Sequence, residues 1–147
     1  MAQVEKPSNL AREENPAYRL VTIILIRCGL RVSDALQLPF ACVAADDAGA
    51  PYLRYFNHKM KREALVPLDD ELLSLIQGQQ QRVLGRYPPG TVLFPRPEKN
   101  PDGKAPVSSG TYRQALYRWL ERCDVRDEHG RPVHLTPISG GTRWEQP

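Results

Sequence analysis

The longest apolar run of the chain, Leu20 to Ile26, is interrupted by Thr22 and ends at Arg27. It is far shorter than the ~20 residues that a membrane-spanning helix needs. Over residues 18–28, apolar side chains nevertheless cover most of the surface of a helix, and Gly29 follows as a stop signal. A helix that is apolar on most sides must be buried, so the chain has to build a core around this segment.

The composition is that of an ordinary soluble domain. The chain has 147 residues, 25% charged and 41% apolar, which allows one core of normal size. A formal net charge of +3 permits a polyanionic partner without requiring one. Cys28, Cys42 and Cys123 are widely separated and form no CxxC pair, so neither a disulfide framework nor a zinc knuckle is indicated. The polar N-terminus lacks the pattern of a secretory signal, and the sequence therefore predicts a protein of the reducing cytoplasm.

The beginning of the chain predicts a leader and two helices that meet at a corner. Residues 1–16 contain two prolines and mixed charges without apolar periodicity, and we interpret them as a flexible leader or linker. Ser33 is a good N-cap for a helix of at most two turns that ends before Pro39. Arg31 would then lie in the corner between this helix and the preceding one.

Residues 51–57 and 63–68 predict a β-hairpin. The first segment alternates its side chains with a period of two, and the second is again extended in character. The polar residues between them would form the tip of the hairpin. This tip would present the cations Lys59, Lys61 and Arg62.

The rest of the chain predicts two further helices. One follows Asp69 and extends to Leu84, and another is capped by Ser108 or Ser109 and extends through Arg122. A loop rich in proline and glycine separates them, and the last ten residues have neither helical nor strand periodicity. The predicted fold class is α+β, mainly α-helical with a small antiparallel β-sheet.

Two segments resemble sequence boxes of the tyrosine recombinases and phage integrases. Residues 28–38 (CGLRVSDALQL) are similar to the first arginine box of that family, with Arg31 as the arginine and Asp34 in the acidic position. Residues 59–68 (KMKREALVPL) are similar to the hairpin lysine segment, and Lys59 takes the position of the catalytic lysine.

A third segment, residues 131–137 (RPVHLTP), resembles the approach to the second box of the family, where a His-x-x-Arg sequence normally follows the Thr-Pro. That box is absent, because Ile138 stands where the histidine would be, and His134 is interpreted as structural. The resemblance implies a partial tyrosine recombinase catalytic domain over residues 17–137, incomplete at its C-terminus. A tail outside the family would follow over residues 138–147.

The resemblance implies a role in DNA breakage and rejoining for the matched residues. Arg31 is the candidate phosphate clamp, because a guanidinium donates two parallel hydrogen bonds to a phosphate and stays charged. Lys59 is the candidate acid that protonates the leaving 5′ oxygen. This chemistry needs neither a metal ion nor a cofactor. Further contacts to double-stranded DNA are expected from Arg54, His58, Lys61, Arg62 and Arg113.

The nucleophile of the family is a tyrosine on a later helix, and no tyrosine of this chain can take that role. All of them precede the second-box position and are interpreted as packing or rim residues: Tyr18, Tyr52, Tyr55, Tyr87, Tyr112 and Tyr117. The chain is therefore expected not to cleave DNA alone. Back-translation of the last ten residues, read one nucleotide earlier, allows codons for a His-x-x-Arg sequence, which suggests a frameshift. A different native C-terminus or a cloning artefact is the alternative.

Three classes of function stay open from the residues alone. Besides a recombinase catalytic fragment, the chain could be a DNA-binding module without chemistry, or a helical interaction domain without a nucleic-acid role. In the last case Arg31 would satisfy helix-end carbonyls and the basic hairpin tip would be a solvated turn. A metal-dependent nuclease is disfavoured, because the paired aspartates 46–47 and 69–70 fit a turn and a helix start.

Self-association is a further expectation. If the absent C-terminal helices normally cover part of the core, apolar surface is exposed on the helices at residues 18–27 and 111–120. The expected partners are thus double-stranded DNA and a second copy of the chain, with neither a membrane nor a metal ion.

Overall fold

A computed structural model describes residues 15–123, 136–137 and 144–145. Its contacts divide the chain into two units. The first comprises residues 1–31 and 109–147, and the second comprises residues 32–108. His129, His134 and Ile138 lie outside the described residues, as does most of the predicted leader.

The first unit begins with helix α1, Pro16–Cys28. The Asn15 side chain caps it by accepting from the backbone N–H groups of Ala17 and Tyr18. The helix thus begins two residues before the expected Tyr18, inside the segment interpreted as a leader, because proline suits the first helical turn. It ends as predicted at Gly29, whose φ of 72° is left-handed.

Helix α4, Ser109–Cys123, is the other helix of this unit. Its core-facing side chains are buried, as are Leu20 to Leu25 of α1; in α4 they are Tyr112, Ala115, Leu116, Trp119 and Leu120. The prediction that these two helices expose apolar surface is therefore wrong. The packing role predicted for the tyrosines is confirmed at Tyr112, which is 1% exposed.

Two short strands complete this unit. Strand β4, Thr136–Pro137, pairs antiparallel with β5, Trp144–Glu145. The last ten residues have no strand periodicity, yet they contain β5. A segment this short has no room for a detectable alternation, so only its pairing defines it.

The second unit contains a small antiparallel sheet in the order β1-β2-β3. The strands are β1 Val43–Ala45, β2 Pro51–Asn57 and β3 Arg62–Pro67. The hairpin of β2 and β3 confirms the sequence prediction, and so does the fold class. Alternation along β2 buries Leu53 and exposes Arg54 and Phe56 on the opposite face.

Two helices accompany this sheet. Helix α2, Val32–Leu36, begins one residue before Ser33. Ser33 was predicted to be its N-cap, and that prediction is wrong. Helix α3, Asp70–Leu84, is capped as expected by Asp69, whose side chain accepts from the backbone N–H of Leu72 at 2.7 Å. Gly78 does not interrupt it.

The loop between α3 and α4 is ordered by a buried asparagine. The Asn100 side chain donates to the carbonyls of Arg96 and Ala105 and accepts from the backbone N–H of Ala105. Within α3, the buried Gln79 side chain donates to the Leu93 carbonyl at 2.9 Å. Within the described part of the chain, no helix is long and apolar enough to cross a membrane.

Candidate functional site

The tip of the β2–β3 hairpin is a short turn with a defined backbone. Strand pairing ends at Asn57 and Arg62, which leaves residues 58–61 outside the ladder. The Asn57 side chain accepts a hydrogen bond from the backbone N–H of Met60 at 3.0 Å. Lys61 has a φ of 53°, so the chain reverses through a left-handed residue. The turn therefore has its own local hydrogen bonding.

Three cations lie in consecutive or near-consecutive positions of this tip. Lys59, Lys61 and Arg62 are all exposed, and Glu63 is the first acidic residue after them. Like charges this close repel one another, and an anion placed beside them relieves that repulsion. A polyanion with regularly spaced phosphates satisfies several such cations together.

The tip is anchored to α2 by Asp34. Nδ1 of His58 lies 2.7 Å from Oδ1 of Asp34, and the backbone N–H of His58 donates to the same oxygen at 3.4 Å. The His58 side chain is 45% exposed, whereas that of Asp34 is 1% exposed. The ring of His58 also meets the ring of Phe56 edge to face, with centroids 4.9 Å apart.

Burial of a carboxylate is costly unless donors surround it, and His58 supplies two of them. When Asp34 is ionised its oxygens only accept, so the 2.7 Å bond then requires the proton to be on Nδ1 of His58. Oδ2 of Asp34 is buried and has no hydrogen-bond partner among the described residues. Of the imidazole nitrogens, Nδ1 is thus engaged in the anchor and Nε2 is the one left for an external ligand.

Sequence reasoning placed Asp34 and His58 in different roles and missed their contact. Asp34 was noted as the acidic residue of the arginine box, and His58 was predicted to touch DNA. The two residues are 24 positions apart. No local periodicity indicates a contact between a helix and a hairpin tip, so only the tertiary structure reveals it.

Arg31 is the residue directly before α2. The corner is formed as predicted, by left-handed Gly29 followed by Leu30, which is 1% exposed. The Arg31 side chain is half-buried, and its Nε is buried without a hydrogen-bond partner among the described residues. A buried guanidinium N–H in this state favours an anionic acceptor.

The other predicted DNA contacts are exposed residues of regular elements. Arg54 lies on the exposed face of β2, and its backbone N–H donates to the Cys42 carbonyl at 2.7 Å. Arg113 is exposed on α4. The structure thus brings His58, Lys59, Lys61 and Arg62 together at one tip, whereas Arg31 and Arg113 belong to the other unit.

Acidic, histidine and cysteine side chains do not assemble into a metal site within the described residues, where no group of three or more is close enough to hold an ion. Burial raises the pKa of the Cys42 thiol to about 12, against an ordinary value of 9.0. That thiol stays protonated near neutral pH and is a poor nucleophile or ligand.

Comparison with known proteins finds one family match that covers both the arginine corner and the hairpin. Residues 2–135 match the phage integrase family, a range that contains both segments. The chain belongs to the phage integrase family. This membership confirms the resemblance drawn from residues 28–38 and 59–68, and the matched range ends before the tail at residues 138–147.

Relatives of this integrase-family chain include mobile-element proteins. Transposase B from transposon PsiTn554 of Staphylococcus aureus is 32% identical over 127 residues, which cover 84% of this chain and 19% of that protein. Transposase B from transposon Tn554 of Staphylococcus aureus strain Mu50 is 32% identical over 110 residues, covering 75% of this chain and 17% of that protein. The chain therefore spans less than a fifth of the length of these relatives. No solved structure matches it.

Proposed function

We propose that the chain is the DNA-engaging part of a site-specific recombinase catalytic domain. The observation that carries this proposal is the hairpin tip, where Lys59, Lys61 and Arg62 are exposed on a turn anchored by the buried Asp34. Membership of the phage integrase family supports double-stranded DNA as the ligand. The tip would meet the phosphates of the duplex.

Arg31 and Lys59 have complementary tasks in this proposal. Arg31 would donate hydrogen bonds to the non-bridging oxygens of the scissile phosphate and neutralise their charge. Lys59 would give a proton to the 5′ oxygen when the bond between that oxygen and phosphorus breaks. In a full-length recombinase a tyrosine hydroxyl would form the new bond to phosphorus. For this chain the proposal predicts binding of double-stranded DNA, with Arg31 and Lys59 at the phosphates.

Fluorescence anisotropy with a labelled duplex tests the proposal. We expect the affinity of the parent chain to fall steeply when salt is raised from about 50 to about 200 mM, because each phosphate contact releases counterions. The double variant Arg31→Ala, Lys59→Ala should bind more weakly. Loss of two phosphate contacts should reduce the slope of log affinity against log salt by about 1.8.

A matched control removes one lysine charge and one arginine charge at other positions of the chain. Lys104→Ala combined with Arg118→Ala changes one exposed lysine and one exposed arginine outside the proposed site. A loss equal to that of the control would show that Arg31 and Lys59 have no special role. Absence of binding by the parent chain at low salt would contradict the proposal and favour an interaction domain without a nucleic-acid role.

Self-association stays a prediction, but the surface that could support it differs from the predicted one. Among the described residues, the large exposed apolar side chains are those of Phe56, Met60, Leu65 and Leu84, on the hairpin and α3 instead of on α1 and α4. Sedimentation velocity over a range of concentrations would reveal a dimer, and Leu65→Ser would weaken one that uses the sheet face.

A further inference from the structure

We propose that His58 is a positioning residue for Lys59, and that it acts by holding the hairpin tip on the buried carboxylate of Asp34. This inference rests on the proposed function, in which Lys59 is the group that acts on DNA. The sequence predicted that His58 contacts DNA. In this proposal its main role is different. It fixes the point from which the lysine side chain extends.

The geometry of the anchor restrains both the ring and the backbone of His58. Oδ1 of Asp34 accepts from Nδ1 of the ring at 2.7 Å and from the backbone N–H at 3.4 Å. Rotation of the ring breaks the first bond, and displacement of the turn breaks the second. The edge-to-face contact with Phe56 restrains the ring from another side. Because Lys59 follows His58 in the chain, restraint of the His58 backbone also restrains the position of the Lys59 Cα.

Among the residues that the structure describes, few other interactions hold the rest of the tip. Ladder pairing ends at Asn57 and Arg62, and the Asn57 bond to Met60 N–H is local to the turn. Left-handed Lys61 adds backbone strain. The exposed cations also repel one another, which favours a spread-out turn. A long-range tie to a buried group is therefore the interaction that decides where this turn sits.

Asp34 is held firmly enough to serve as the fixed side of the anchor. Its neighbours Ala35 and Leu36 are 0% and 2% exposed, so the helix that bears the carboxylate is itself locked in the core. The groups that face the His58 ring are the Asp34 carboxylate from α2 and the Phe56 ring from β2. The anchor thus transfers the rigidity of α2 to the tip of a hairpin.

Substitution of His58 by asparagine or by glutamine distinguishes a positioning role from a general contribution to folding. The amide nitrogen of asparagine occupies about the position of Nδ1 of histidine, and that of glutamine occupies about the position of Nε2. His58→Asn should keep the donor to Asp34, whereas His58→Gln should lose it. Both variants are neutral and polar at a side chain that is 45% exposed, so both should fold. Circular dichroism and thermal unfolding of each variant check this.

The first measurement needs no DNA. In the ¹⁵N-labelled full chain, heteronuclear NOE values at Lys59, Met60 and Lys61 report the order of the tip on the picosecond to nanosecond timescale. We expect high values in the parent and in His58→Asn, and a clear loss in His58→Gln. Equal order in all three proteins would overturn the proposal.

The second measurement connects the anchor to Lys59. In each background, Lys59→Ala is added and the salt dependence of duplex binding is compared. The substitution should reduce the slope by about 1 in the parent and in His58→Asn. In His58→Gln it should change little, because a mobile lysine makes no persistent phosphate contact. Equal reductions in all three backgrounds would overturn the link to Lys59.

These outcomes separate the two proposals. If the tip loses order in His58→Gln while none of the proteins binds DNA, the anchor stands and the proposed function fails. If the parent binds DNA with a strong salt dependence while the tip is equally ordered in every variant, the proposed function stands and the anchor fails.

Discussion

The hydroxyl groups of Thr22 and Tyr112 lie 2.7 Å apart in the buried interior of the first unit, and they join α1 to α4. The Thr22 hydroxyl also lies 3.1 Å from the Tyr18 carbonyl, to which it donates. A hydroxyl has one proton, so the Tyr112 hydroxyl must donate to Thr22. Tyr112 therefore donates to Thr22, and Thr22 donates to the Tyr18 carbonyl of α1.

The hydrogen bond between Thr22 and Tyr112 predicts a loss of stability for two near-isosteric substitutions. Tyr112→Phe removes the hydrogen bond to Thr22 and should lower the free energy of unfolding by at least about 0.5 to 1.5 kcal/mol. Thr22→Val removes two hydrogen bonds from a buried site and should cost about 1 to 3 kcal/mol. Urea denaturation of the variants measures both. The double variant gives the coupling energy between the two residues, and a coupling energy near zero would contradict the bond between their hydroxyls.

Gly103 is predicted to be intolerant of a side chain. Its φ is 70°, and an added Cβ would lie 2.5 Å from Cγ2 of Thr91 and 3.0 Å from the Tyr87 ring. Gly103→Ala should therefore combine a left-handed backbone cost of about 1 to 2 kcal/mol with an overpacking cost of about 1 to 3 kcal/mol.

Gly49 provides the matched control for that substitution. Its φ is 84°, but nothing lies within 4 Å of an added Cβ. Gly49→Ala should show the backbone cost alone, about 1 to 2 kcal/mol. The difference between the two variants in urea denaturation isolates the steric part, and a difference near zero would mean that Thr91 and Tyr87 can move aside.

The hairpin, the end of α1 and the start of α3 could be predicted because each has a local chemical cause. Gly29 ends α1 since glycine adopts a left-handed conformation without steric cost. Asp69 starts α3 since its side chain accepts from an unpaired N–H of the first turn. Such signals lie within a few residues of the feature that they determine, so the sequence displays them.

The features that escaped prediction depend on residues far apart in the chain. Strand β1 has weak strand propensity at Ala44 and Ala45 and forms because β2 pairs with it. The tie from Asp34 to His58 joins a helix to a hairpin tip. Of the candidate site, the basic tip was therefore predictable from sequence, whereas the group that holds it was not.

Lys61 allows charge and backbone geometry to be tested separately. Its φ of 53° suits glycine better than any residue with a side chain. Lys61→Gly and Lys61→Ala remove the same charge, so each should reduce the salt slope of duplex binding by about 1. The glycine variant should be more stable than the alanine variant by about 1 to 2 kcal/mol. Thermal unfolding measures that difference, and an alanine variant of equal stability would contradict the strain at this position.

The buried thiol of Cys42 predicts a loss of stability in alkali. Desolvation raises the pKa of Cys42 from 9.0 to about 12, although a backbone hydrogen bond and Arg54 act in the opposite direction. Between these values the unfolded chain has released the proton and the folded chain retains it. The contribution to stability is therefore complete below pH 9.0 and is lost as the pH rises towards 12.

Urea denaturation at a series of pH values above 9.0 tests this linkage. The slope that Cys42 adds approaches about 1.4 kcal/mol per pH unit where the folded thiol is protonated and the unfolded one is not. The comparison is between the parent and Cys42→Ser, whose hydroxyl does not titrate, so that all other groups contribute equally to both curves. The variant should lose stability less steeply with pH, while Cys28→Ser at the half-buried cysteine serves as the control. Parallel curves for the parent and Cys42→Ser would show that the Cys42 thiolate forms in the folded chain as easily as in the unfolded one.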